Sequence, residues 1–368
     1  DASFVIAAPT LASIVILLLG GVVADRTSRK RVIFLAELVA MAAQVSMGLL
    51  FITGHASVPL LTLLMLVNGA AIAFHSPAST GLIVQLVAPH QLQATNALLG
   101  MARHGALAIG AALGGVLVAT IGPGLTLFFD GLTFGVSAIL VFFMRPNSQV
   151  IEKSASIFAD LKSGWHEFTS HTWLWTMVLQ FAVLLSALEA FFGLIGPAFT
   201  LEHLGGARDW GFIAASFGIG TFMGGFIAMR IHPRHPMRFA VFCSAMFAAL
   251  PLAMLVESGL PTLMFLAFLT GVADQQFTVI WMTTFQTRVP AHMLSRVGAY
   301  DHMGSIILAP LGLVVAGILN ELFGFQFVFS IMLVVILVPT ALVLLVRDVW
   351  SMQADKPNDT DTQVTNSS

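Results

Sequence analysis

A chain of 368 residues that is 57% hydrophobic and only 9% charged, with a mean hydropathy of +0.92, lies far outside the soluble domains, whose charged fraction is about 25%. Composition therefore predicts a polytopic membrane protein and disfavours a nucleic-acid partner; the net charge of −2 carries no weight, because in such a chain the placement of charge matters and its sum does not. The single cysteine, Cys243, excludes a disulfide or a thiolate metal site within one chain.

A span needs about 20 apolar residues to cross a hydrocarbon core about 30 Å thick. Eleven segments meet that requirement: 4–23, 32–53, 59–84, 97–120, 125–144, 172–198, 210–229, 238–256, 261–285, 297–319 and 325–346. The first begins without a basic region or cleavage pattern before it, and Asp1 stands where a Met is expected, so the chain reads as one lacking its beginning.

Between the first two spans lies Gly21–Arg31, GVVADRTSRKR, a short loop dense in positive charge. Such loops stay on the cytoplasmic side, where anionic lipid and the insertion machinery hold them. With this loop inside, all 16 Lys and Arg except Arg103 and Arg208 fall in cytoplasmic regions, and shifting the count by one span spreads them over both sides. The orientation predicts a multi-pass protein of the inner or plasma membrane with a cytoplasmic C-terminus.

The interval 145–171 divides five spans from six. Within it Ile157, Phe158, Leu161, Trp165 and Phe168 recur at helical spacing, which predicts an amphipathic helix on the inner surface. The expected organisation is an N-terminal bundle (1–144), a cytoplasmic linker (145–171), a C-terminal bundle (172–346) and a disordered cytoplasmic tail (347–368). Gln85-Leu-Val-Ala-Pro89 is matched 201 residues later by Gln286-Thr-Arg-Val-Pro290, each at the inner end of a long apolar segment, as two halves related by an axis along the membrane normal would leave.

A charge at the bilayer centre costs at least about 2.5–3.5 kcal/mol, so each one kept there is a candidate for ion or substrate handling. Asp274 lies about 20 Å from the outer end of its span, near the middle, and is followed by Gln275 and Gln276. Its carboxylate is the leading proton carrier, with a buried hydrogen-bond node as the structural alternative. His75 is also near mid-depth, beside the backbone freed by Pro77, and corresponds to Gln276 at the 201-residue offset, so the two are expected to face one another across a cavity. Glu189, in the outer half, precedes Phe191, Phe192, Gly193 and Pro197, a pattern that suggests an outer aromatic gate. Glu37 is expected to reach the inner interface or pair with a loop arginine, and Arg103 to snorkel toward the inner face or else favour anionic groups in the cavity. Asp130 and Asp301, near helix ends, read as architectural.

Gly110, Gly114 and Gly115, and Gly220 with Gly224, have the small-xxx-small spacing that lets helices approach closely. The 30 phenylalanines and 17 methionines would give a cavity a soft apolar lining suited to varied amphipathic ligands. The sequence has no phosphate-binding loop, no metal-ligand cluster and no nucleophile constellation, so neither a cofactor, a metal nor an enzymatic activity is expected.

The Gly21–Arg31 loop resembles the G-x-x-x-D-R-x-G-R-K loop between the second and third helices of major facilitator superfamily transporters. Gly21, Asp25, Arg26, Arg29 and Lys30 stand at matching places, with Arg31 extending the basic run and Ser28 replacing the inner glycine. Ser76-Pro77-Ala78, Leu86 to Leu98 and Asp130-Gly-Leu-Thr-Phe134 are similar to the macrolide-efflux and enterobactin-exporter branch of drug:proton antiporters. Two departures stand out: Ala111 replaces a proline of the fifth-helix antiporter signature, and Met65 occupies the place of a fourth-helix arginine. The resemblance implies an all-α membrane protein of two six-helix bundles, eleven of the twelve helices present and the first missing. It also implies that Asp25 and the loop cations gate the inner ends of the bundles. The activity implied is proton-coupled efflux of small amphipathic compounds by alternating access, with small-molecule substrate, protons and the bilayer as partners. A dedicated exporter or importer of one metabolite or siderophore is the alternative, and a non-transporting membrane sensor the second.

Overall fold

The computed structural model describes residues 16–147 and 156–354. The start of the expected span 4–23, Lys153 and residues 355–368 of the tail lie outside them. Among the described residues every regular element is helical, and nine stretches are long and apolar enough to cross a membrane.

In chain order the helices are α1 (16–26), α2 (Arg29–Ile52), α3 (Val58–Leu86), α4 (Leu92–Phe143), α5 (Ile157–Ser170), α6 (Thr172–Ala190), α7 (Gly196–His203), α8 (Ala207–Ala228), α9 (Pro236–Ala245), α10 (Ala249–Leu255), α11 (Leu260–Arg288), α12 (Leu294–Ile306), α13 (Ala309–Phe323), α14 (Phe325–Val343) and α15 (Arg347–Ser351). The expected spans 97–120 and 125–144 both fall in α4, which breaks at Gly122 (φ 82°, ψ 165°), a conformation closed to L side chains, followed by Pro123. A π-helical turn, Phe191–Ile195, joins α6 to α7. The tail does not start disordered: α15 docks onto the segment before and into α9, where Arg238 stacks on Trp350 and donates to its carbonyl at 2.7 Å.

The helices gather into two compact units. The first comprises 1–88, 106–171 and 286–304; the second 89–105, 172–285 and 305–368. Each unit thus takes one segment from the opposite half of the sequence. The two exchanged segments, 89–105 and 286–304, are counterparts under the 201-residue offset read from the Gln-x-x-x-Pro pair.

In the first unit α2 packs antiparallel to the second part of α4. A Cβ on Gly48 would meet Phe128, one on Gly131 would meet Val45, and one on Gly135 would meet Met41, so glycines bring the two backbones together where lipid offers no hydrophobic drive. The buried clusters here are small, one of Ala36, Ala40 and Ala71 and another of Val32, Ile33, Leu82 and Val141 with Ala24 and Ala78. The second unit instead has a large aliphatic and aromatic core built on Leu184, Phe191, Ile195, Phe247 and Phe329. Within it α8 and α11 run parallel and touch at backbone distance. Added Cβ atoms on Gly220 and Gly271 would collide with the carbonyls of Phe268 and Phe217, and one on Gly224 would press on Val272 and Gln275. Among the described residues a Cβ on Gly110, Gly114 or Gly115 would meet nothing within 4 Å, since the spacing permits close approach but does not by itself supply a partner helix.

Candidate functional site

Two polar sites stand out, one in each unit. The first grows from the Gly21–Arg31 loop. The helix α1 ends at Arg26 and α2 starts at Arg29, so Asp25 and Arg29 lie one turn apart on one side of the turn, with Arg29 Nη2 2.6 Å from Asp25 Oδ1. Both residues are buried, at 2% and 1% exposure. Removing such charges from water costs several kcal/mol per ion unless every lone pair and proton is met, and here the remaining partners come from far along the chain.

Asp25 accepts the backbone N–H of Arg296 at 2.9 Å and of Ser295 at 3.3 Å, the first turn of α12. A carboxylate there is favoured by the exposed N–H groups and the positive end of the helix dipole. Arg296 also reaches Asp25 Oδ2 through Nε at 3.3 Å, and its Nη1 binds Asp160 Oδ1 at 2.7 Å and Ser163 Oγ at 3.0 Å on α5. Arg26 pairs with the other oxygen of Asp160. Arg29 spends its other protons on the carbonyls of Gly81 (2.9 Å) and Ala291 (2.7 Å) and on Ser295 Oγ (3.1 Å). Gly21 and Gly81 are required by this close packing: a Cβ on the first would strike the Ser295 carbonyl and Ala299, and on the second the Arg29 guanidinium. Lys30 caps the Met144 carbonyl at 2.8 Å beside the Phe142 ring, and Arg31 is exposed outside the network.

Asp25, Arg26 and Arg29 are therefore brought together as the loop implied, but the residues that complete the site are Arg296, Ser295, Asp160, Ser163 and Ala291. Arg296 was visible in the sequence only as a basic residue beyond the second Gln-x-x-x-Pro. Asp160 carried a fainter signal, falling with Gly164 and Phe168 on one face of α5.

The second site lies on α11. Asp274 is half-buried and within electrostatic reach of Arg103, which belongs to the exchanged segment 89–105. Arg103 is itself exposed, and the acid within its electrostatic reach lies 171 positions later in the chain, not near it in sequence. Gln275 and Gln276 are buried and engaged in helix packing. Gln276 donates to the Gly224 carbonyl at 2.7 Å, and Gln275 lies on Gly100 with its amide 3.5 Å from the Ala97 carbonyl. The same segment is tied down by Gln93, which donates to the carbonyls of Ala228 (2.6 Å) and Ile231 (2.7 Å), and by Asn96, which donates to Thr283 Oγ1 at 3.1 Å. The counterpart of the charged network is thus built from neutral amides.

His75 pairs with Glu37 at 3.2 Å inside the first unit, and among the described residues Glu37 is not paired with a loop arginine. Glu189 is exposed on the last turn of α6. It precedes an aromatic cluster in which Phe191 and Phe192 contact Trp210, and Phe192 also contacts Phe217. The π turn that carries them is a device frequent at functional sites.

A profile of the Major Facilitator Superfamily matches residues 1–237, well over half the chain. The chain belongs to the major facilitator superfamily. Relatives agree along most of its length. An uncharacterised transporter of this superfamily from Bacillus subtilis, YvqJ, is 24% identical over 307 residues, covering 81% of this chain and 72% of its own. The multidrug efflux pump Tap of Mycobacterium tuberculosis is 24% identical over 342 residues, covering 89% and 81%. Among solved structures, the human organic anion transporter MFSD10 superposes with a TM-score of 0.76 at 18% identity, over 93% of this chain and 83% of that one. The fucose:proton symporter of Escherichia coli does so with a TM-score of 0.73 at 15% identity, over 93% and 90%. Family and fold are those of major facilitator transporters and not of enzymes, and the chain is a multi-pass membrane protein.

Proposed function

We propose that this major facilitator protein exports small amphipathic compounds across the cell membrane in exchange for protons, with the Gly21–Arg31 loop and the C-terminus in the cytoplasm. The observation that carries the reading is Asp274, a half-buried mid-span carboxylate acting on Arg103 from the other half of the sequence. Ionised, Asp274 attracts Arg103 and helps keep segment 89–105 on α11. A proton on its carboxyl removes that attraction, so the segment parts more easily. A carboxyl group is neutral more readily when shut from water and ionised when wetted, so the same residue can load a proton on one side of the cycle and release it on the other.

The Asp25 network is then the cytoplasmic latch, and the amides of Gln93 and Asn96 form its weaker counterpart. Tap, a relative described as a multidrug efflux pump, supports the substrate class, as does the abundance of Phe and Met.

The test uses ethidium, a lipophilic cation, in proteoliposomes of the full protein with and without an imposed pH gradient. Asp274→Asn keeps shape and hydrogen bonding but not titration. It is expected to lose gradient-driven accumulation by about tenfold or more, the loss expected of a functional intramembrane acid, while keeping counterflow exchange. Undiminished gradient-driven accumulation in Asp274→Asn removes the residue from the coupling step.

A further inference from the structure

Glu37 and His75 meet between α2 and α3 in a setting the Asp274 reading does not use. His75 Nε2 lies 3.2 Å from Glu37 Oε1; the Glu37 side chain is 10% exposed and that of His75 40%. The other carboxylate oxygen, Glu37 Oε2, is buried and has no hydrogen-bond partner among the described residues. Both side chains line a cavity of about 130 Å³ whose remaining walls are Ala36, Ala40, Ala71, Ile72 and Phe134. A buried carboxylate oxygen left unmatched is costly, and a group kept for packing alone would have both oxygens satisfied.

We propose that Glu37 and His75 form a second proton-binding site, inside the first unit and separate from Asp274. Its resting form is a carboxylate accepting the imidazole N–H. One proton arriving from water settles on the imidazole or on Glu37 Oε2, taking the pair from net −1 to neutral with no other group changed. The size of the cavity selects the ligand. At about 130 Å³ it is well under the roughly 300 Å³ of small-molecule pockets, yet it has room for the waters that would deliver a proton. One carboxylate and one imidazole are also too few protein ligands for a metal ion, and no group of three such side chains occurs among the described residues.

The neighbouring elements supply a way in. Two turns along α2 from Glu37 is Gln44, and two turns along α3 from His75 is Asn68; each step covers about 10 Å. Gln44 donates to Asp130 on α4 at 2.6 Å, and Asn68 approaches Gln44 at 3.5 Å, leaving its own buried Oδ1 without a partner. Both steps lead away from the Gly21–Arg31 loop, so Asp130, Gln44 and Asn68 form a polar group about 10 Å from the pair on the side opposite the loop. Other charges near the pair are few. His75 is the one ionisable side chain of α3, and Asp130 the one on α4 beyond Gly122. On α2 the cations Arg29, Lys30 and Arg31 stand about two turns from Glu37 at the helix start, with Arg29 held by Asp25. On α1, which packs on α3 through Gly20 and Ala73, the charges are Asp25 and Arg26.

The inference goes beyond the transport reading, and its test has a readout that needs no substrate. Dicyclohexylcarbodiimide reacts with protonated carboxyls from the membrane phase. With the full protein in lipid nanodiscs, modification of Glu37 followed by mass spectrometry is expected to rise several-fold as pH falls from about 8 to about 6, the range in which an imidazole changes charge. In His75→Gln labelling at about pH 6 should rise about twofold or more above the wild type, because no imidazole competes for the proton or holds the carboxylate ionised as an imidazolium. PH-independent labelling, or the same pH response in His75→Gln as in the wild type, overturns the proposal even if both variants fold well. In ethidium transport, adding Glu37→Gln to Asp274→Asn should abolish the residual gradient response, about a tenth of the wild type or less, that Asp274→Asn leaves. Retention of that response in the double variant also counts against the site. A wild-type protein that moves no ethidium would instead sink the export reading, leaving the labelling experiment to judge Glu37 and His75.

Discussion

Asp25 illustrates how one side chain can hold a large assembly. Its two oxygens take the Arg29 guanidinium, the Arg296 side chain and two backbone N–H groups of α12, and no part of this network is open to water. Asp25→Asn keeps the shape and removes the charge, leaving Arg29 and Arg296 buried beside a neutral amide. Breaking a buried pair this way costs about 3–5 kcal/mol, enough to move a conformational equilibrium by about 150-fold or more toward forms in which the cluster is apart. Leu294, fully buried beside the network, reports it: in a Cys243→Ser background, Leu294→Cys should react with a membrane-permeant maleimide at least about tenfold faster when Asp25 is Asn. Equal reaction rates would show that the network does not hold this end closed. The charges of the loop were legible in the chain, but their partners were not. Asp25 and Arg296 are 271 positions apart, and nothing in local spacing pairs them.

The helices show the same division between what a segment encodes and what a neighbour decides. Small-xxx-small spacing occurs at Gly110 and Gly114 in α4 and at Gly220 and Gly224 in α8, yet among the described residues only the α8 pair meets another backbone. Ala at Gly220 or Gly271 must push against a carbonyl of the facing helix, which cannot move cheaply, so each should destabilise the purified protein by about 1–3 kcal/mol, as overpacking does. Gly110→Ala and Gly114→Ala add a methyl to open space and gain helix propensity, so they should be neutral or stabilising by up to about 1 kcal/mol. Thermal unfolding followed by a thiol-reactive dye at Cys243 would rank the four, and equal effects would mean that the α8–α11 crossing is not as tight as described. Likewise, Gln275 and Gln276 read as free polar groups on one helix. They become packing and hydrogen-bonding residues only because Gly224 and Gly100 let neighbouring backbones come within their reach.

At the scale of the whole molecule, two units each hold one segment from the opposite half of the sequence, and the exchanged segments correspond under an internal repeat. One exchanged segment is held in its unit by the charges around Asp25, the other in its unit by the amides of Gln93 and Asn96. The proposed orientation is open to labelling from each side of intact cells. Cysteines at Ser156 and Ser351 should react only after permeabilisation, whereas those at Ala56 and Ala207 should react from outside, because basic loops are retained in the cytoplasm. All four positions are exposed, so reactivity reports sidedness and not burial. Reaction of Ser351→Cys and Ala207→Cys from the same side would overturn the topology.

Composition and span length sufficed by themselves for the class of protein and the order of its helices, since both depend on the bilayer as solvent and are written locally in the chain, and the superfamily came from the resemblance of the motif loop. The motif loop likewise announced that charge would be concentrated between α1 and α2. What the tertiary structure decided was which charges meet, Arg296 and Asp160 with the loop and Glu37 with His75, and that Arg103 comes within electrostatic reach of Asp274. Those pairings depend on how close two helix backbones come and which faces they turn to each other, and partners between 38 and 271 positions apart leave no periodic trace in the sequence.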